Sequence, residues 1–265
     1  MKTNLISFII GLVAGGFGGL VGLGGGLVMV PLMVGILKLS QHRAHGTSLV
    51  ALVFTGISGA VTYALNGSVN YVAACLLAVT AMTTARAGAH YAHALPEWKL
   101  KKFFGFFLIF CAVLLILKPY LAPIIGVVPN YVQIIILLIT GIFTGFFSGM
   151  MGVGGGTIMV PAMVLLIGFS QHLAQGTSLL VMIPAGSVGA FTHWKLGNVT
   201  KKLLIGLVPG IILGTYLGGS FANVISDAPL RLIFVSVIIV TGLRYAQNAN
   251  PGGSDSSQFP TADKH

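Results

Sequence analysis

Acidic residues are almost missing from this 265-residue chain: four Asp and Glu stand against fourteen Lys and Arg, a formal net charge of +10. Charges of either sign make up only 7% of the residues, where an average soluble domain carries roughly 25%. So few charges cannot clothe a water-facing globule of this length, and 55% of the residues are hydrophobic. A soluble enzyme is excluded, and the chain reads as an integral membrane protein. Cysteine is scarce too. Cys75 and Cys111 lie in apolar runs (YVAACLLAV and FLIFCAVLL) and fit neither a disulfide framework nor a metal site, so they read as small core or lipid-facing residues. No G-x-x-x-x-G-K-[ST] string is present, so the chain has no means of its own to hydrolyse ATP.

What is abundant is glycine, 37 residues of it, and the glycines fall in a repeat. A shift of 130 positions lays GGLVGLGGGLVMVPLMV (Gly18 to Val34) on SGMMGVGGGTIMVPAMV (Ser148 to Val164), and SQHRAHGTSL on SQHLAQGTSL, without a gap. Residues 19–50 and 149–180 are identical at 18 of 32 positions, too long a register for composition alone. The chain is two copies of one unit, residues 1–122 and 123–246, followed by a polar, Pro/Gly/Ser-rich tail at 247–265 that is expected to be disordered in the cytoplasm.

Each copy opens with an apolar stretch too long for one straight crossing, Asn4 to Leu39 or Tyr131 to Phe169, interrupted midway by GLGGG or GVGGG. Two short limbs folded as a hairpin are expected there. Three ordinary spans follow, at His45–Leu65, Tyr71–His90 and Phe103–Leu121, then at Gln175–Trp194, Leu203–Val224 and Leu230–Tyr245. Charge tests the hairpin. If each long stretch crossed once, seven of the fourteen basic residues would lie on each side of the membrane. If each returns to the side it left, twelve lie inside and only Lys118 and Arg231 outside, a strong positive-inside bias. Each copy then makes three net crossings, so the expected fold is an all-α membrane domain of two inverted repeats, each a Gly-broken hairpin plus three transmembrane helices, with both termini cytoplasmic. Parity leaves a re-entrant hairpin and two short full crossings equally open. The basic residues flank spans, where they attract anionic lipid and set topology, which disfavours nucleic acid as a partner.

Glu97 and Asp227 fall in loops and Asp255 and Asp263 in the tail, so no carboxylate lies within a span. Cation carriers and proton pumps commonly place Asp or Glu there. An anionic or neutral small substrate is expected, with no metal and no cofactor. The glycine clusters offer a way to hold an anion: a helix starting at Gly24, Gly25 and Gly26, or at Gly154, Gly155 and Gly156, presents free N–H groups and partial positive charge inside the membrane. The other reading of these glycines is close helix packing. The duplicated SQHxAxGTSL segment adds Gln41, Thr47 and Ser48, and Gln171, Thr177 and Ser178. These are either local caps at a helix start or hydroxyl and amide donors to the substrate. His42 and His172 read as interfacial. Arg86 sits near the cytoplasmic end of its span, either snorkelling to the interface or attracting anions.

A duplicated GLGGGLVMVPLMV and GVGGGTIMVPAMV, each followed by an A-x-GTSL helix start, resembles the sulfite exporter TauE/SafE family of bacterial membrane permeases, over about Gly11 to Gly242. The matching positions are Gly24 to Gly26, Pro31 and Gly46 to Ser48, with their second-copy equivalents. The resemblance implies movement of a small sulfur-containing anion, such as sulfite or an organosulfonate, across the bacterial inner membrane. The expected function is therefore secondary transport, not enzymatic catalysis, by alternating access between the two repeats. A passive anion channel and a non-transporting membrane assembly or sensor protein are the alternatives. The topology gives the first prediction: cysteine reporters placed within residues 38–45 and within 168–175 label from opposite faces of the membrane with an impermeant thiol reagent.

Overall fold

The computed structural model describes residues 2–91, 97–125, 128–151 and 154–247. Among them the regular structure is helical throughout. Lipid supplies no hydrogen-bond partners, and a helix satisfies its backbone within the segment. The first copy forms α1 (Lys2–Val21), α2 (Gly26–Gly35), α3 (Gln41–Leu65), α4 (Tyr71–Tyr91) and α5 (Glu97–Ile125). The second forms α6 (Asn130–Met151), α7 (Gly156–Ala162) continuing as a π-helical turn at Met163–Ile167, then α8 (Gln171–Lys195), α9 (Lys201–Val224) and α10 (Asp227–Gln247). The starts of α2, α3, α4 and α5 each recur 130 residues later, as the duplicated sequence requires.

By length and composition α1, α3, α4, α6, α8 and α9 can each cross a membrane. Helices α5 and α10, also expected as spans, fall outside that group among the described residues. The apolar part of α5 is the shorter Gly105–Lys118, and α10 carries Asp227, Arg231 and Arg244. The hairpins differ from expectation in proportion. Their limbs are unequal: α1 has 20 residues and α2 only 10, α6 has 22 and α7 only 7. A full-length helix is thus followed by a short one that begins at the glycine cluster. The expected tail, apart from Gln247, lies outside the described residues.

The copies are interleaved. Helix α1 lies along α9, α6 along α4, and α5 along α10, while α3 and α8 pack against each other at the centre. A Cβ added at Gly15 of α1 would stand 2.6 Å from the Ile211 carbonyl oxygen of α9. At the repeat-related Gly145 of α6 it would strike the carbonyl of Ala81 on α4, and Ala81 is itself the repeat of Ile211. Lipid tails are as apolar as leucine, so such helices gain from close backbone approach, which small residues permit. Helices α3 and α8 run antiparallel. Tyr63 meets Gln175 near one end of the pair, and Gly189 packs on Leu49 toward the other. Apolar cores therefore cut across the copies. One gathers Ile10, Met29, Met33, Ala51, Leu207 and Ile211 from α1, α2, α3 and α9; another joins α4 through α8 and α10 around Leu77, Leu115, Met159 and Phe234. Cys111 is buried and Cys75 exposed.

The helix ends follow the same rule. Helices α3 and α8 each close on a left-handed glycine, Gly67 (φ 66°) and Gly197 (φ 72°). The next N–H reaches back to the Tyr63 carbonyl at 2.9 Å or the His193 carbonyl at 3.0 Å, the bond pattern of a Schellman cap. The close packing of α1 on α9 gives the second prediction. Gly15→Leu and Gly145→Leu each force two backbones apart and lower stability by about 3 kcal/mol. Gly35→Leu, with nothing within 4 Å of the added atom, leaves thermal unfolding in detergent unchanged.

Candidate functional site

The two glycine clusters meet in the middle of the molecule. A Cβ on Gly154 would lie 2.7 Å from the Leu23 carbonyl oxygen, and one on Gly156 would strike the carbonyl of Gly22. Leu52 of α3 and Met182 of α8, related by the repeat, flank both: Gly24 faces the Leu52 Cδ2 and the Met182 Sδ, and Gly154 lies within van der Waals reach of both side chains. Each is the twelfth residue of its 25-residue helix. At 1.5 Å per residue the clusters sit about 18 Å from either end of the α3–α8 pair, midway along it. Gly24, Gly25 and Gly154 have φ of 84°, 75° and 86°, values that favour glycine and let the chain reverse there. Gly26 and Gly156 then start α2 and α7. The first N–H groups of such helices have no acceptor within the helix.

The Thr and Ser residues of SQHxAxGTSL take another position than a helix start. Helices α3 and α8 begin at Gln41 and Gln171, so Thr47 and Thr177 stand a turn and a half inside them. The caps are Ser40 and Ser170, the latter accepting the Leu173 N–H on its hydroxyl at 3.2 Å. Thr47 and Thr177 instead join the copies. The Thr200 N–H donates to Thr47 Oγ1 at 3.0 Å, and the Asn70 N–H donates to Thr177 Oγ1 at 3.0 Å. Residues 70 and 200 are themselves 130 apart, so the two bonds are one bond exchanged between halves, as in an isologous contact. Asn70 in turn caps α4 through its side chain, accepting the Ala73 N–H at 2.9 Å.

Other candidate residues divide. Ser48 is buried and donates to the His45 carbonyl at 2.8 Å. Ser178 shares its proton between the Gly22 and Gln175 carbonyls, both at 2.8 Å, which ties α8 to the first glycine cluster. Gln171 is buried at the start of α8, and its side-chain amide has no hydrogen-bond partner among the described residues. The Gln41 side chain lies outside the described residues, as does Gly152 of the second cluster. Arg86 is exposed on α4 and does not line the central cavity. His172 spans an interface, with Nε2 at 3.0 Å from the Ala222 and Ile225 carbonyls and Nδ1 at 3.4 Å from Asp227, whose carboxylate also accepts the Gln171 N–H.

Several residues escaped the sequence reading. Tyr63 is fully buried and donates within reach of the Gly19 carbonyl (3.0 Å) and Gln175 Oε1 (2.8 Å). Thr144 and Ser148 of α6 line a cavity of about 10 Å³, the room of roughly one water molecule, between the second glycine cluster, Leu52 and Met182. Their repeat partners are Ala14 and Gly18, so duplication gave no signal for them. A polar residue at both Asn70 and Thr200 was the available hint of the exchanged bonds.

Glycine-rich broken hairpins at mid-depth, in a bundle whose spans hold no carboxylate, define a multi-pass helical membrane transporter. More narrowly, the chain belongs to the sulfite exporter TauE/SafE family, which matches residues 7–245. It is 28% identical to the "Probable membrane transporter protein YunE" of Bacillus subtilis (strain 168), covering 90% of this chain and 95% of that one. The "Probable membrane transporter protein YjnA" of the same organism is 26% identical over 92% of this chain and 99% of its own. A relative of the same description from Methanocaldococcus jannaschii is 25% identical over 89% and 92%. No solved structure matches the chain significantly. The exchanged bonds give the third prediction: Thr47→Val and Thr177→Val each leave a loop N–H without its acceptor and lower stability by about 1–2 kcal/mol. Thr→Ser at either position retains wild-type thermal unfolding.

Proposed function

We propose that this transporter carries a small sulfur-containing anion, sulfite or an organosulfonate, out across the bacterial inner membrane by alternating access. The observation that carries the reading is the meeting of two glycine clusters at mid-depth, each opening a short helix. Residues Gly24 to Gly26 and Gly154 to Gly156 would surround the anion with backbone N–H groups, while the absence of carboxylates from the spans removes the repulsion. Gln41, Thr47, Ser48, Gln171, Thr177 and Ser178 would line the approach from the two sides, and Arg86 would draw anions toward the inner one. The repeats sit in the bilayer in opposite orientation with both termini inside, and basic loops on that side contact anionic lipid.

The moving bodies in this mechanism are mixed. The core that unites α1, α2, α3 and α9 would rock against the one built on α4, α6, α7 and α8, with the antiparallel α3–α8 contact between them. The inside-negative potential contributes about 2.3 kcal/mol per charge per 100 mV to anion efflux. Export as a uniport therefore needs no coupling ion, and a monovalent anion reaches an outside-to-inside ratio of about 50 at 100 mV.

The fourth prediction tests this. Liposomes holding the purified protein and loaded with sulfite show saturable efflux that rises when a K⁺–valinomycin gradient makes the interior negative. Gly24→Ala, whose added methyl meets the movable ends of Leu52 and Met182 and whose φ of 84° also strains an alanine backbone, reduces the flux per folded protein at least tenfold. Flux that rises linearly with concentration identifies a channel instead. No flux of sulfite or organosulfonate at any potential overturns the reading.

A further inference from the structure

Around the cavity the two halves differ. In the first half the turn is filled by backbone. Gly25 packs straight onto the Ala14 carbonyl, and a Cβ on Gly18 would lie 2.6 Å from the Gly25 nitrogen. In the second half Gly155 has φ −79° where Gly25 has 75°, and Thr144 and Ser148 replace Ala14 and Gly18. There the close contact is not with backbone: a Cβ on Gly155 would meet the Thr144 methyl carbon.

Thr144 is 1% exposed, and its hydroxyl has no hydrogen-bond partner among the described residues. Several helical threonines of this protein return their proton to the carbonyl one turn back, although Thr215 of α9 is, like Thr144, buried with no hydrogen-bond partner among the described residues. Thr55 donates to Ala51 at 3.3 Å, Thr62 to Ser58 at 2.8 Å and Thr192 to Val188 at 2.9 Å. Thr144 does not, although burying an unsatisfied hydroxyl is unfavourable. It lines the cavity together with Ser148, one turn further along the same face of α6. The opposite wall is Met159 and Met182, whose methyl carbons crowd the second cluster: the Met159 Cε lies 2.8 Å from the Cβ position of Gly155, and the Met182 Cε 3.0 Å from that of Gly156. Methionine is unbranched and changes rotamer readily, so this wall can withdraw without moving backbone.

We infer that the substrate seat is asymmetric. The anion binds on the second-copy side of the centre and accepts hydrogen bonds from the Thr144 and Ser148 hydroxyls, while Met159 and Met182 fill its volume in this structure. The inference rests on the anion-carrier reading above and adds to it the residues that recognise the oxyanion. Hydroxyls suit a carrier. They donate to oxygen acceptors without bringing a full positive charge, so the bound anion is held and then released.

The probe is sulfite, in initial-rate efflux from proteoliposomes at fixed potential. Thr144→Val keeps the branched shape against Gly155 and removes only the hydroxyl. It raises KM for sulfite at least tenfold, whereas Thr144→Ser stays within about twofold of the wild type. Thermal unfolding separates this from a structural role: Thr144→Val leaves Tm unchanged or raises it, because an unsatisfied buried hydroxyl is lost. Ser148→Ala carries the same expectation for KM and serves if Thr144→Val does not fold. Wild-type KM in both Thr144→Val and Ser148→Ala overturns the asymmetric seat while leaving transport intact. Absence of sulfite flux in the wild type overturns the carrier reading on which it rests.

Discussion

Backbone-to-backbone contact through glycine is the constraint on which the rest of this molecule depends. In lipid, burying apolar side chains against each other gains little over leaving them among acyl chains. What holds α1 to α9 and α6 to α4 is the closeness that Gly15 and Gly145 allow. Each contact joins one sequence copy to the other. The same contacts fix the far ends of α1 and α6, and so set where the chain turns back at Gly22 to Gly26 and at Gly154 to Gly156. The depth of the candidate site is thus a consequence of where two helices of opposite copies lock together.

Polar ties complete what glycine begins. Thr47 and Thr177 hold the loops that precede α9 and α4, and Ser178 holds the end of the first hairpin. Each uses a hydroxyl already in the helix, so no charge is needed in the membrane. The near-symmetry of these ties is what makes the exception informative. At Thr144 a buried hydroxyl has no partner among the described residues, next to Gly155, where the second turn departs from the first.

Much of this was legible in the residues. The 130-residue register located both glycine turns and paired every helix of one copy with its counterpart, and the scarcity of charge identified the membrane class. Charge placement located the ends: Lys118, the loop at Phe169 and Asp227 gather at one end of the bundle, where Lys118 Nζ donates to the Phe169 carbonyl at 3.0 Å. Helices α3 and α8 start four residues ahead of the expected spans at His45 and Gln175, and Gln171 is buried although polar. The sequence leaves Thr47 and Thr177 open between caps and substrate donors, because a capping hydroxyl, a substrate contact and a tertiary tie are the same residue in sequence. Which helix of one copy would embrace which of the other was not legible at all. A repeat reveals what is alike, and says nothing about how the likenesses interlock.

That interlocking has a consequence for how the protein is made. The glycine face of α1 leaves the ribosome first, yet its partner surface around Leu207 and Ile211 follows nearly two hundred residues later. At translation rates of about 5–20 residues per second, the first helix waits roughly ten to forty seconds in the bilayer with its contact surface bare. Through that interval lipid, or the insertion machinery, must keep an adhesive helix from pairing with a neighbour on another nascent chain.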